Sequence, residues 1–166
     1  VYDEHLEDRD QAIALCEEIL SQDTSYRDAI SALENMLEDE DHRLQVAQIL
    51  IPIYQEHDDW RNLVAAYRAE LEFLTDTIDR MERFRQIAEL AEAKGGEPDM
   101  AMDAWSEALL EDPADGEVGN QLQRLAEEVG RLARETAAYT SGREARQAQD
   151  RALNALSRLE AHPAVR

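Results

Sequence analysis

Two short stretches bring together residue types that could bind a metal ion or exchange a proton. Residues 38–42 place four carboxylates beside His42, and His57 stands next to Asp58 and Asp59. The first stretch lacks the spaced oxygen ligands and central glycine of a calcium loop, so we interpret it as a turn with a capping acid. His57 is the best single candidate for a pH-sensitive or metal-contacting residue, and a solvated turn residue is the alternative that we favour.

The sequence contains none of the short catalytic or metal-binding motifs. H-E-x-x-H, G-x-x-x-x-G-K-[ST], G-x-S-x-G, C-x-x-C and E-x-x-H are all absent. Cys16 falls at helical spacing among apolar residues and beside Glu17 and Glu18, so a core role is favoured over a reactive thiol. A single cysteine excludes an internal disulfide and is compatible with a reducing compartment. We therefore expect no enzyme activity, no cofactor and no bound metal.

The charge of the chain is strongly negative and unevenly distributed. The net charge is −21, made up of −11 in residues 1–40, −13 in residues 41–130 and +3 in residues 131–166. Such a surface repels phosphate and anionic lipid, so nucleic acid is not an expected partner. A solvated acidic surface is one interpretation, and a groove for a basic peptide or protein is the other. The basic end could also contact the acidic start of another copy.

No part of the sequence has the character of a membrane span or an export leader. Apolar runs are too short to cross a bilayer, and no positively charged segment precedes an apolar one. We expect no membrane insertion and a cytoplasmic location. Ala, Leu, Glu, Arg and Gln dominate the composition, which favours helices throughout.

The elements that would position candidate residues are helices, and residues 81–113 show the pattern most clearly. Two apolar stripes of helical spacing are separated by Gly95 and Gly96, which end the first helix. Pro98 suits the first turn of the second helix, and Pro113 prevents the next helix from simply continuing. The first stripe consists of Phe84, Ile87, Ala88 and Ala91, and the second of Ala101, Ala104, Trp105, Ala108 and Leu109.

This segment resembles the tetratricopeptide repeat, a helix–turn–helix of about 34 residues. The family places packing residues on its first helix, a glycine in the turn, small and aromatic residues on its second helix, and a closing proline. Here one extra turn residue is placed at Gly96, and Ala91 stands where the family usually has tyrosine. The matching positions are Phe84, Ile87, Ala88, Ala91, Gly95, Ala101, Trp105, Ala108 and Pro113. The resemblance implies an all-α, right-handed α-solenoid of stacked antiparallel helix hairpins with about nine helices.

The rest of the chain is predicted to extend this architecture as a single domain over residues 1–166. Repeats are predicted at about 44–77, 81–114 and 116–142, with irregular helices over 8–38 and a capping helix over 144–160. Tyr67, Trp105 and Tyr139 are 38 and 34 residues apart, and Asp58, Gly95 and Gly130 are 37 and 35 apart. A period near 34–38 residues indicates stacked helical hairpins.

Three irregularities are expected within this scheme. Gly130 is predicted to end one helix, with another beginning near Arg131. Pro52 lies inside the third helix and is predicted to kink it. The first helix resembles the second helix of a repeat, whereas the second and third helices both resemble a first helix. We therefore predict a departure from regular stacking around residues 38–44.

In this family the first helices of successive hairpins line a concave side, which commonly holds an extended or helical peptide. Each position carried across is also compatible with an ordinary solvated helix face. Together they describe an acidic groove without the lysine- and arginine-rich clamp that some members use, so a basic ligand fits better. The positions are Gln45, Gln48 and Gln55 on the third helix, Glu82, Arg85, Glu89 and Glu92 on the fifth, and Glu117, Asn120, Arg124 and Glu127 on the seventh.

Two classes of function are compatible with these features. The first is a non-catalytic protein–protein interaction scaffold that binds a basic peptide or protein in the acidic groove. The second is a structural spacer or self-assembly segment of a larger repeat protein, with contacts from end to end.

Overall fold

The computed structural model describes residues 2–137 and 143–161, and within them it confirms the all-α class, with no strand. The sequence predicts about nine helices, and the described residues form eight α-helices and one π-helical turn. The helices are α1 (Tyr2–Gln22), α2 (Arg27–Met36), α3 (Arg43–Glu56), α4 (Trp60–Leu71), α5 (Thr77–Leu90), α6 (Pro98–Glu111), α7 (Gly116–Ala137) and α8 (Arg143–Ala161), and the π-turn is Ala91–Gly95.

The difference in helix number arises at Gly130, where the prediction of a helix end is wrong. The α7 helix runs through Gly130 to Ala137. Gly130 is buried, and a Cβ atom built on it would lie 3.9 Å from the Cβ of Ala152 on α8. A glycine inside a helix costs about 1 kcal/mol relative to alanine. Packing between α7 and α8 outweighs that preference, so the helix continues.

The helices form two compact units, with α1–α4 in the first and α5–α8 in the second, divided between Leu74 and Thr75. In the first unit, each helix packs against the next along the chain. In the second unit the same holds, and α6 also contacts α8. The predicted single domain and its three repeats stay a prediction, and Tyr139, at the end of the third repeat, lies outside the described residues.

The core of the first unit is built from apolar stripes on all four helices. The largest fully buried side chains in this unit are Ile13 on α1, Leu33 on α2, and Val46 and Leu50 on α3. The α3 helix continues through Pro52, and its predicted kink stays a prediction.

Side-chain contacts place α1 and α3 side by side and in the same direction. Asp10 contacts His42 near the beginning of α3, and Thr24 lines the same pocket as Glu56 near its end. The sequence assigns α1 to the second position of a hairpin and α3 to the first. The α2 helix lies between them along the chain, and the assignment of α1 and α3 to hairpin positions stays a prediction. The guanidinium of Arg43 donates to the Leu37 carbonyl at 2.8 Å and so closes the end of α2.

The core of the second unit combines large and small side chains as predicted for residues 81–113. Trp105 is 5% exposed, and Phe84 and Ile87 are buried with it. Small residues let neighbouring helices approach closely, and larger side chains fill the space between them. The alanines of this segment that are fully buried are Ala88, Ala91, Ala101, Ala104 and Ala108.

The turn between α5 and α6 contains both Gly95 and Gly96. The chain widens into a π-turn over Ala91–Gly95, and Gly96 adopts a left-handed conformation with φ of 58°. The N–H groups of Gly96 and Glu97 both donate to the Ala91 carbonyl. A π-turn contains one residue more than an α-helical turn, and here it follows α5 directly and ends at Gly95. The predicted helix end at these glycines is confirmed.

Replacing Gly96 with alanine is expected to lower the free energy of unfolding by about 1–2 kcal/mol, because an L side chain is strained in the left-handed region. No atom lies within 4 Å of a Cβ built there, so the backbone conformation alone accounts for the cost. Urea unfolding of Gly96→Ala and of Gly116→Ala measures the effect. Gly116 also has open space but no positive φ, so its replacement should not destabilise. Equal stabilities of the two variants would contradict the explanation that the left-handed conformation of Gly96 causes the loss.

Candidate functional site

Four of the eight residues predicted to line a groove on the fifth and seventh helices form ion pairs across the second unit. Arg85 contacts Asp115 at 2.5 Å between Nη2 and Oδ2, and Glu117 at 3.6 Å between Nη1 and Oε2. Arg124 contacts Glu92 at 2.7 Å between Nη2 and Oε1. We call the predicted surface the α5–α7 face. It consists of Glu82, Arg85, Glu89, Glu92, Glu117, Asn120, Arg124 and Glu127.

The cross-helix contacts show how α5 and α7 are aligned. Arg85 and Glu117 are 32 residues apart in sequence, and so are Glu92 and Arg124. Equal spacing at two separate points means that the two helices run in the same direction with a fixed register. In the first unit, Asp10 and His42 are also 32 residues apart. These three contacts each join residues 32 apart, whereas the closer contact of Arg85 with Asp115 joins residues 30 apart.

The acidic side chains of the α5–α7 face differ in whether a cation compensates them. Glu92 and Glu117 contact the arginines of the neighbouring helix. Glu82, Glu89 and Glu127 are exposed. Glu82 accepts a hydrogen bond from the Gln86 amide at 3.1 Å, and Glu127 accepts one from the Gln123 amide at 2.9 Å. Amide donors leave a carboxylate its full negative charge, so these positions can still attract an external cation.

Asp115 joins the α5–α7 face to the start of α7. Its Oδ1 accepts hydrogen bonds from the backbone N–H groups of Glu117 at 2.9 Å and Val118 at 3.2 Å. Burial acts to raise the pKa of the Asp115 carboxyl, but these bonds and the Arg85 guanidinium outweigh it and lower the pKa. The residue therefore caps α7 in its charged form, which the positive end of the helix dipole also favours.

The three glutamines predicted to share the groove belong to the first unit and differ in their surroundings. Gln45 and Gln48 line an open pocket of about 460 Å³ between α1 and α3. Gln55 instead donates from Nε2 to the hydroxyl of Tyr67 at 2.9 Å, which ties α3 to α4. Gln45 and Gln48 thus line a pocket, whereas the Gln55 side chain is hydrogen-bonded to the neighbouring helix α4.

His42 is the polar residue whose surroundings were not anticipated from the sequence. The stretch of residues 38–42 is a turn, as predicted, in which Asp39 accepts from the Asp41 N–H at 3.3 Å. The N-cap of α3 is His42, whose side chain makes no capping hydrogen bond, so the predicted capping acid is wrong. The His42 side chain is only 5% exposed, with Nδ1 3.1 Å from Asp39 and Nε2 3.2 Å from Asp10. Arg9 also contacts Asp39. The sequence spacing could have predicted that His42 is buried, because it precedes the buried Val46 by four residues and so shares its helix face.

Other singled-out residues have ordinary structural surroundings. His57 is an exposed residue at the end of α3, as favoured from the sequence. Cys16 is buried, and its burial raises the pKa of the thiol, which lowers its reactivity. Trp60 is half-buried, and the Arg61 guanidinium lies 4.9 Å from the centre of its ring.

Three further findings concern metal binding, membrane spans and relatives. Among the residues whose side chains the structure describes, no three of His, Cys, Asp or Glu are grouped so that they could hold a metal ion. None of the described helices combines the length and apolar character needed to cross a membrane. No protein-family model matches this chain, and no curated protein is significantly similar to it.

Proposed function

We propose that this protein is a non-catalytic scaffold of tetratricopeptide-like hairpins that binds a basic peptide or protein through its α5–α7 face. In this proposal α5 and α7 are equivalent first helices of consecutive hairpins in a right-handed solenoid, and the face between them is concave. The observation that supports the proposal is the common register of α5 and α7, in which four of the eight predicted positions form ion pairs: Arg85 with Glu117, and Glu92 with Arg124.

The charges of this surface favour a cationic partner. Arg85 and Arg124 are already held by carboxylates of the same surface, so they offer little to an acidic ligand. Glu82, Glu89 and Glu127 have amide donors or solvent beside them and keep their charge. Lysine or arginine side chains of a partner would meet these three carboxylates. The net charge of −21 adds a long-range attraction for such a partner.

A peptide titration tests the proposal. An acetylated peptide of alternating lysine and alanine is added to the protein, and fluorescence anisotropy measures binding at about 20 mM and about 300 mM salt. Binding should weaken at the higher concentration, because the screening length falls below about 10 Å. The triple variant Glu82→Gln, Glu89→Gln, Glu127→Gln should bind about three- to tenfold more weakly, since each exposed ion pair contributes about 0.2–1 kcal/mol.

The matched control changes the same charge in the other unit. Glu18, Glu38 and Glu40 lie on the first unit at a distance in sequence from the α5–α7 face, and their replacement by glutamine alters the net charge equally. This control should retain affinity for the peptide, apart from a small long-range effect. Equal losses of peptide affinity in the two triple variants would show that net charge alone explains the attraction. This result would refute the proposed face.

Self-assembly is the second candidate function, and the charge distribution favours it. Residues 1–40 carry −11 and residues 131–166 carry +3, so the ends of two copies attract each other. Sedimentation velocity over a range of protein concentrations tests it. A sedimentation coefficient that rises with concentration and falls back at high salt would favour assembly from end to end. A constant monomer value would remove this candidate.

A further inference from the structure

The pocket between α1 and α3 has the volume and lining of a side-chain-binding site. Its volume is about 460 Å³, within the range of about 300–1,000 Å³ that is usual for ligand pockets. Leu20, Ile49 and Ile53 supply an apolar lining. Glu17 on α1 and Glu56 on α3 place carboxylates on its two opposite helices. None of the ten described residues that line it is basic.

Pro52 leaves one backbone acceptor of α3 without its usual donor. Proline has no backbone N–H, so it cannot donate to the carbonyl of Gln48 four residues earlier in α3. The carbonyl therefore lacks the donor that it would have in an uninterrupted helix. Both Pro52 and Gln48 line the pocket. A backbone acceptor without its usual partner gains from a donor supplied by a ligand.

The acceptors and the apolar lining together specify the ligand. Two carboxylates and a backbone carbonyl call for several N–H donors carried on one positively charged group. The apolar residues call for an aliphatic stem. Arginine combines both, because its guanidinium has five N–H donors in a planar fork and its three methylene groups pack on apolar surface. Lysine has a more compact charge and fewer donors to reach walls on two different helices.

We propose that the α1–α3 pocket binds an arginine side chain of a partner protein. The aliphatic stem packs against Leu20 and Ile53, and the guanidinium donates to Glu17, Glu56 and the Gln48 carbonyl. The inference rests on the proposed role in binding basic partners and adds a specific side chain to it. It uses no residue of the α5–α7 face, so the two sites are tested separately.

The test uses a blocked peptide, acetyl-Gly-Gly-Arg-Gly-Gly-amide, followed by NMR shifts of the Gln45 and Gln48 side-chain amides. The expected result is saturable binding that is about tenfold weaker in Glu17→Gln, Glu56→Gln, because hydrogen bonds to charged groups are the stronger class. Pro52→Ala restores the N–H, so the Gln48 carbonyl regains its intrahelical donor. This variant should bind several-fold more weakly while keeping its fold.

Three comparisons make the test decisive. Pro98→Ala, at the start of α6 in the second unit, should leave binding unchanged. So should the α5–α7 variant Glu82→Gln, Glu89→Gln, Glu127→Gln. The same peptide with lysine or citrulline in place of arginine should bind at least several-fold more weakly. Unchanged affinity in Pro52→Ala or in Glu17→Gln, Glu56→Gln, or equal binding of the lysine peptide, would overturn the proposal, whatever the outcome at the α5–α7 face.

Discussion

Replacing Trp105 with alanine is expected to lower the free energy of unfolding by about 3–5 kcal/mol, the range for truncating a buried tryptophan. Trp105 is 5% exposed and lies on α6, which packs against both α5 and α7. Its neighbours on the same helix face, Ala101, Ala104 and Ala108, are fully buried and too small to fill the resulting cavity. Chemical denaturation monitored by circular dichroism at 222 nm measures the loss.

Trp105→Phe separates the volume of the ring from its N–H group. Within the part of the chain that the structure describes, the Trp105 Nε1 is buried without a hydrogen-bond acceptor. Removing an unpaired buried donor recovers part of its desolvation cost, so phenylalanine should lose much less stability than alanine. We expect a loss of about 1–2 kcal/mol, since part of the side-chain volume is also removed. A phenylalanine variant as unstable as the alanine variant would show that the N–H group has a partner.

Replacing Asp115 with alanine is expected to lower the free energy of unfolding by about 0.5–2 kcal/mol, the range for losing a helix N-cap residue. The Glu117 and Val118 N–H groups lose their acceptor, and Arg85 loses its closest carboxylate. Asp115→Asn keeps a capping oxygen and removes only the charge, so it should lose less. Urea unfolding at pH 7 compares the three proteins. A smaller loss in the alanine variant than in the asparagine variant would contradict the capping role.

The charge of Asp115 also predicts how the difference in unfolding free energy between the native protein and Asp115→Asn depends on pH. Because its pKa is lowered in the folded protein, its charge contributes stability above the ordinary aspartate pKa of about 3.9. That contribution is lost as the pH falls below this value and through the lower folded pKa. The stability difference between the native protein and Asp115→Asn should therefore narrow as the pH falls from 7 to 3. A constant difference over this range would rule out the charge contribution.

The helices could be predicted because each apolar stripe in the sequence fits one face of a helix. Phe84, Ile87 and Ala88 are buried as their spacing indicates. Gly96 ends its segment because the chain needs a left-handed residue there. Gly130 has the same residue type but packs beside α8, and this contact is invisible to local sequence rules. Glycine indicates a helix end only where no neighbouring helix stabilises continuation of the helix through it.

The ion pairs at the candidate site could not be predicted from the sequence. Spacing of three and four residues identified which side chains of α5 and α7 share a face. It could not identify Asp115 as the strongest partner of Arg85, because that contact depends on the register between two helices. The same limitation hid the contacts of His42 with Asp10 and Asp39. Pairings across helices follow from tertiary geometry, which one-dimensional periodicity does not contain.

The order of the signs on α5 and α7 restricts which hairpins can be neighbours. Along the chain, α5 and the π-turn present Arg85 and then Glu92, whereas α7 presents Glu117 and then Arg124 in the reverse order of charge. Two copies of α5 aligned in this register would bring arginine against arginine and glutamate against glutamate. Such mismatched charges disfavour the pairing of two α5 helices in this register. The ion pairs therefore favour α7 over a second copy of α5 as the helix that packs beside α5.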